Sequence, residues 1–233
     1  MRNDACFRHE LKYVISKCDM DCCIARLSEF AKVDPHAKEN GYFVRSLYYD
    51  DMIMSAYEDK EDGVCARHKY RIRAYDHDNS VIFLEKKIKE GSYVRKESIK
   101  LSIGDFNSII MGETAFLLEK EERVAFDFAI RCRTDNLHPE VIIDYCRIPF
   151  IYEYGDVRIT FDMSIKASVP DYDFFSDGGT AYSVLSPDNV IMEIKYTQFL
   201  PDVFRNIMPD NSCRIATSKY VMSVDTLRRL FVK

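Results

Sequence analysis

The chain has 233 residues and a formal net charge of −5, with 47% hydrophobic and 30% charged residues, 8 glycines, 7 prolines and no tryptophan. Such a length can bury a real core in one domain spanning 1–233, and so little Gly and Pro excludes a disordered, collagen-like or linker-rich chain. No apolar stretch approaches the roughly 18–20 residues of a membrane span, and residues 1–16 carry Arg2, Asp4, Arg8, Glu10 and Lys12 where a signal peptide would have an apolar core, so a soluble, cytoplasmic protein is expected.

From the N-terminus, residues 7–15 read as a strand in which Arg8, Glu10 and Lys12 alternate with Phe7, Leu11 and Tyr13. Residues 16–32 read as a helix: Ser16 and Asp19 form a capping box, and Met20, Cys23, Ile24, Leu27, Phe30 and Ala31 repeat at helical spacing. Strand-like segments follow at 43–50, 65–76, 80–89 and 92–101, with Gly91 as a hairpin turn. A helical region is expected over 105–133, with Asp105 as its N-cap, Gly112 dividing it and Glu119–Arg123 as a solvated face. Strands resume at 140–150, 156–168 and 189–197. The last 40 residues read as helical, with Pro201 at a helix start and an amphipathic run from Thr217 to Phe231.

The cysteines (Cys6, Cys18, Cys22, Cys23, Cys65, Cys132, Cys146 and Cys213) include no Cys-x-x-Cys pair, and the histidines (His9, His36, His68, His77 and His138) are not at metal-ligand spacing with them. Small, mostly buried apolar cysteines are expected, and no zinc site. The negative charge argues against a general nucleic-acid binder. It is uneven, however: residues 60–100 hold 11 Lys/Arg against 7 Asp/Glu, a local +4, which leaves −9 over the remainder. A basic segment within an acidic protein points to an anion handled in one place.

The residues on alternate strand positions sharpen that point. Arg67, Lys69, Arg71 and Arg73 share one face of 65–76, opposite Tyr70, Ile72 and Ala74. Glu85, Lys87 and Lys89 share a face of 80–89, opposite Ile82, Leu84 and Ile88. Arg158, Thr160 and Asp162 oppose Val157, Ile159 and Phe161; Glu193 and Lys195 oppose Met192 and Ile194; Tyr145 and Arg147 add another such position. One strand of this kind is a solvent face. Six of them, rich in Arg and Lys, would set like charges side by side at about 0.2–1 kcal/mol per pair unless an anion or carboxylate compensates. The expected architecture is therefore α+β: an antiparallel sheet closed into a barrel with a charged lumen, its apolar outer face covered by helices. Arg forks and Lys point charges bind phosphate oxygens, while carboxylates among them can hold Mg²⁺ or Mn²⁺. Phosphoryl transfer needs positioning and charge neutralisation more than acid–base chemistry, so the pattern fits a metal-dependent enzyme acting on a tri- or polyphosphate chain. No P-loop, GxGxxG or GxSxG motif occurs.

Six motifs in order, Phe7–Tyr13 (FRHELKY), Lys69–Tyr75 (KYRIRAY), Phe83–Lys87 (FLEKK), Arg158–Asp162 (RITFD), Met192–Tyr196 (MEIKY) and Ser218–Tyr220 (SKY), resemble the VTC domain over about 7–231. This is the catalytic module of the vacuolar transporter chaperone complex and its bacterial relatives, within the triphosphate tunnel metalloenzymes. The resemblance implies a tunnel barrel that builds inorganic polyphosphate from the γ-phosphate of ATP with Mn²⁺ or Mg²⁺. By matching motifs it implies that Lys12, Arg71, Arg73, Lys87, Arg147, Arg158 and Lys195 act at the transferring phosphates, that Lys219 and Lys60 are further phosphate contacts, and that Glu193 is the metal ligand. Arg67 and Lys69, on the strand face of Arg71, are candidate phosphate contacts as well, and Glu10 and Glu85 candidate metal ligands. The wider superfamily opens with Glu-x-Glu-x-Lys; Arg8 stands here at the first Glu position, and Glu10 and Glu85 have a lumen salt bridge as their alternative role. Lumen arginines such as Arg71 and Arg73 are expected to lack a structural role. The eukaryotic relatives couple to a membrane pore, which for this chain would have to belong to a separate protein. Two other functions fit the same residues: a triphosphate or nucleotide hydrolase, and a catalytically silent polyphosphate-binding module.

Overall fold

The computed structural model describes residues 7–37, 41–171, 173–176, 179–209, 212–216 and 218–231; Cys6 and Thr217, the expected start of the last helix, lie outside them. The elements are β1 (Arg8–Ser16), α1 (Lys17–Leu27), β2 (Lys32–Val33), β3 (Tyr42–Asp50), α2 (Ser55–Glu61), β4 (Ala66–Tyr75), β5 (Asp78–Glu90), β6 (Tyr93–Leu101), α3 (Ile103–Ile110), a 3-10 turn (Ala115–Glu119), α4 (Arg123–Thr134), β7 (His138–Tyr152), β8 (Val157–Ser168), β9 (Tyr182–Ser183), β10 (Asn189–Tyr196), α5 (Asp202–Arg205), β11 (Cys213–Arg214) and α6 (Lys219–Phe231). The fold is α+β.

Among the described residues 11 strands belong to one antiparallel sheet, and eight of them pair in a circuit: β7, β3, β4, β5, β6, β1, β10 and β8, with β8 pairing back onto β7. The joins differ greatly in extent. β7 and β8 pair over nearly their whole length, whereas β6 meets β1 only at Arg8↔Val94 and His9↔Tyr93. Farther along that edge of β1, β11 pairs at Tyr13 and Val14 instead. The Glu90–Tyr93 connection turns at Gly91, whose φ of +59° is in the left-handed region that costs glycine nothing.

Two groups of helices cover the outer faces. The 3-10 turn, α3 and α4 cover Tyr70, Ile72, Ala74, Ile82 and Leu84 with Phe106, Ile109, Leu117 and Phe128. α1 and α5 cover Ile159, Phe161, Met192 and Ile194 with Met20, Cys23, Leu27 and Phe204. The sixth helix differs from the expectation. Tyr220, Val221, Val224 and Leu227 of α6 pack on Val44, Tyr48, Tyr145 and Ile191, which share their strand faces with Ser46, Arg147 and Glu193. α6 thus lies on the inner side of the sheet, at one end of the circuit. Among the described residues, no helix is long and apolar enough to cross a membrane.

Several local expectations are corrected. The capping box of Ser16 and Asp19 is present, but α1 ends at Leu27. Ser102, not Asp105, caps α3, and Asp105 is the third-position partner of its capping box. Gly112 (φ +82°) does divide this helical region as expected, following α3 and preceding a 3-10 turn and then α4. The C-terminal region is not continuously helical, since Pro201 caps the four-residue α5 and β11 intervenes before α6. The cysteines are mostly not buried: Cys18, Cys22, Cys65 and Cys213 are exposed, Cys132 and Cys146 are half-buried, and only Cys23 of the described ones is buried. The buried stripe of α1 runs through Met20, Cys23 and Leu27, which turns Cys18 and Cys22 to solvent.

Candidate functional site

Strand alternation puts the charged residues of the circuit around one cavity of about 260 Å³. Fifteen Lys and Arg and two carboxylates, Glu10 and Glu193, line it, together with Tyr42, Tyr48, Tyr75, Tyr145 and Tyr220. Lys12, Lys60, Arg67, Lys69, Arg71, Arg73, Lys87, Arg147, Arg158, Lys195 and Lys219 all stand in this wall, joined by Arg8, Lys89, Arg95 and Lys96. Arg147 is backed by an unusually close approach. A Cβ on Gly41 (φ +84°) would lie 2.0 Å from the Arg147 carbonyl oxygen, so only glycine lets β3 start flush against β7 there.

Two fully buried carboxylates hold five of these cations from behind. Glu85 faces Arg71 directly across the β4–β5 ladder. Its Oε2 accepts from Arg71 Nε at 2.7 Å and lies 2.6 Å from Nη2 and 3.7 Å from Arg73 Nη1, while Oε1 accepts from Lys96 at 2.9 Å. Arg71 also donates to Tyr48 Oη (2.8 Å), and Arg73 donates to Ser46 Oγ and Tyr145 Oη (both 3.0 Å). Burial opposes the Glu85 charge, yet Arg71, Arg73 and Lys96 hold its carboxyl far below the usual carboxylate range. Asp162, cross-strand from Arg147, accepts from that guanidinium at 2.6 and 2.8 Å and pairs with Lys219 at 2.5 Å. Its pKa is also lowered: burial opposes its ionisation, but Arg147 and Lys219 prevail. Arg71 and Arg73 therefore do have a structural role, contrary to the sequence expectation. Each is a partner of a carboxylate that could not otherwise be buried ionised.

A second kind of carboxylate faces the cavity itself. Glu10 contacts Lys12 (2.7 Å) and Lys87 (2.8 and 3.0 Å), and Glu193 lies 3.5 Å from Lys195 and 3.7 Å from Arg147. Against burial and the repulsion of Glu193, the ammoniums of Lys12, Lys87 and Lys195 hold Glu10 down at about 2. Glu193 is likewise held well below its ordinary value, with burial opposed first by Lys195 and Lys12. The two carboxylates are near neighbours through the register Lys12↔Glu193 and Glu10↔Lys195.

A third group of cations has no carboxylate within ion-pair distance among the described residues: Lys60 on α2, Arg67 and Lys69 on β4, and Lys89 on β5. Arg67 lies opposite Lys89, and Lys69 opposite Lys87. Lys69 donates to Ser218 Oγ (3.2 Å) and sits over the Tyr220 ring at 4.5 Å; Arg67 donates to the Val64 carbonyl. Burial, then Lys87 and Lys12, push the Lys69 ammonium well below its ordinary value. Burial and neighbouring Arg67 lower Lys60 and Lys89 as well.

The structure thus brings all the sequence-derived site residues to this wall except Glu85, which lies behind it. Arg158 is in the wall but tied at 2.9 Å to Asp34, a buried residue of the β2–β3 connection that the sequence reading missed. Tyr48 and Ser46, which orient Arg71 and Arg73, were missed as well. Alternation had placed Asp162 and Tyr145 on the charged faces with Arg158 and Arg147 but gave them no role; they orient Arg147 and Arg73.

A model of the VTC domain family matches residues 7–228, and the chain belongs to that family. No curated protein matches it. Similar solved structures include the PH1819 protein of Pyrococcus horikoshii OT3, with 13% identity and a TM-score of 0.48 over 94% of this chain and 98% of that one. Another is a "putative adenylate cyclase" from Vibrio parahaemolyticus, with 13% identity and a TM-score of 0.47 over 87% and 82%. A third, another "putative adenylate cyclase", from Bacillus halodurans, has 12% identity and a TM-score of 0.46 over 97% and 99%.

Proposed function

We propose that the protein extends inorganic polyphosphate with the γ-phosphate of ATP, using the circuit of strands as a barrel-like tunnel for the phosphate chain. The observation that carries this reading is the cavity wall, in which fifteen cations surround two carboxylates. Glu85, Asp162 and Asp34 offset part of that charge from behind the wall; the excess that remains suits a multiply charged anion, and a phosphate chain supplies one charge or more per unit along a narrow path. Arg71, Arg73 and Arg147, fixed from behind, bind and orient the reacting phosphates with Lys12, Lys87, Arg158 and Lys195. Lys60, Arg67, Lys69 and Lys219 bind the remainder of the chain. Charge developing between donor and acceptor phosphates then meets guanidiniums already in place, so little reorganisation opposes transfer.

Two oxygen donors of the wall, Glu10 and Glu193, are kept ionised and would hold a hard divalent cation in exchange for their present lysine partners. Among the described residues no group of three or more His, Cys, Asp or Glu could hold a metal, so substrate phosphates would have to complete the set. Mg²⁺ or Mn²⁺ favours this arrangement of one or two carboxylates completed by substrate phosphates. When bound there, the ion would neutralise charge on the phosphate oxygens.

A second reading, triphosphate hydrolysis, is favoured by one observation: α6 fills the inner face at one end of the circuit, which suits a short substrate. Incubation with ATP and Mn²⁺, with products resolved by chain length, separates the readings. Polyphosphate chains are expected. Free phosphate alone would replace synthesis by hydrolysis, and unchanged ATP would leave a binding module. Glu193→Gln is expected to lose turnover while still binding tripolyphosphate; undiminished wild-type turnover in EDTA would refute the metal.

A further inference from the structure

Glu85 does not share the surroundings of Glu10 and Glu193. It is 1% exposed and absent from the cavity wall. Both its oxygens already carry cationic groups: the Arg71 fork and Arg73 on one, Lys96 on the other. Glu10 also carries ammoniums on both oxygens, but it faces the cavity, where those flexible lysines can turn to a ligand. Glu85 lies behind the wall against two guanidiniums anchored elsewhere, which leave a divalent cation no approach. Arg71 and Arg73 are two residues apart on one strand face, so without this carboxylate their like charges would drive them apart. With it, each guanidinium is fixed at two or more corners, Arg71 by Glu85 and Tyr48, Arg73 by Ser46, Tyr145 and Glu85. The remaining face of each lies in the cavity wall.

We infer that Glu85 is a positioning residue for phosphoryl transfer, aiming Arg71 and Arg73 at the bound phosphates from behind the wall, and is not a metal ligand. The inference rests on the phosphoryl-transfer reading of the same cavity. It has an unusual signature. Glu85→Gln removes one negative charge beside the cavity, so a polyanion is held as well as before or better, while the arginines lose their aim. Misplacement of a catalytic group by about 1 Å is enough to cost on the order of 100-fold in rate.

The experiment compares wild type with Glu85→Gln in three measurements: tripolyphosphate affinity by calorimetry, Mn²⁺ affinity alone, and turnover of ATP. Expected are a tripolyphosphate affinity equal to or tighter than wild type, unchanged Mn²⁺ affinity, and turnover lower by about 100-fold. A purely structural role would instead lower the unfolding midpoint and leave the folded fraction fully active, which overturns the inference; so does a loss of Mn²⁺ affinity. Should Glu85→Gln not fold, Glu85→Asp keeps the charge one methylene farther back. Its turnover is expected to fall with tripolyphosphate affinity retained, and full activity would again overturn the inference. If wild type binds tripolyphosphate but turns nothing over, the phosphoryl-transfer reading fails by itself. Positioning is then judged by the Nε–H resonances of Arg71 and Arg73 in the tripolyphosphate complex. Sharp signals in wild type that broaden in Glu85→Gln support it, and unaltered ones end it.

Discussion

The cavity holds two populations of cations that the same chemistry has treated differently. Arg71, Arg73, Arg147 and Lys219 are locked to Glu85 and Asp162, whereas Lys60, Arg67, Lys69 and Lys89 stand close to other cations. The locked set is preorganised: its geometry exists before any ligand arrives, and removing a member strands a buried charge. The crowded set stores repulsion that a bound anion relieves. A wall built only of the first kind would have little charge left for a ligand, and one built only of the second would have no fixed geometry.

The comparison is most sharply tested by Arg71→Ala, which leaves Glu85 buried with one partner fewer. A loss of about 3 kcal/mol in unfolding free energy by chemical denaturation is expected; unaltered stability would mean that the pair is not a unit. Lys69→Ala should do the reverse, keeping or raising the unfolding midpoint while weakening tripolyphosphate about tenfold, the worth of one charge-assisted contact. Equal stability losses in both variants would erase the distinction. A smaller effect concerns pH. Lys69 in the empty cavity gives up its proton at lower pH than an ordinary lysine, and a bound polyanion restores it. Binding therefore takes up a proton, and tripolyphosphate affinity should fall as pH rises through alkaline values below the ordinary lysine pKa of about 10.4. Lys69→Arg, always charged, should flatten that fall, which calorimetry at several pH values would reveal. The smallest change is expected outside the cavity: Lys32→Ala, which breaks the exposed Lys32–Glu153 pair, should alter stability by no more than about 0.5 kcal/mol.

Much of this arrangement was legible in the alternation of charged and apolar residues. β4 shows why: Arg67, Lys69, Arg71 and Arg73 had to share a face, and Tyr70, Ile72 and Ala74 had to share the buried one. Alternation gives the face of a residue but not its depth, so Glu85 was grouped with Lys87 although it lies beneath the wall. Amphipathic spacing likewise shows that α6 buries a stripe without showing that its partner is the inner side of the sheet. The two-residue strands β2, β9 and β11 are too short for any period to appear. α2 buries none of its residues and so leaves no apolar stripe, yet it delivers Lys60. Cys22 and Cys23 are adjacent and identical in composition, and only the position of the helix on the sheet separates the exposed one from the buried one.

The position of α6 has a consequence for traffic. On the polyphosphate reading proposed above, α6 would close off part of the inner face with Val221, Val224 and Leu227, and Lys69, which donates to Ser218 and sits over Tyr220, would meet a phosphate chain deep beside that helix and not at a doorway opposite it.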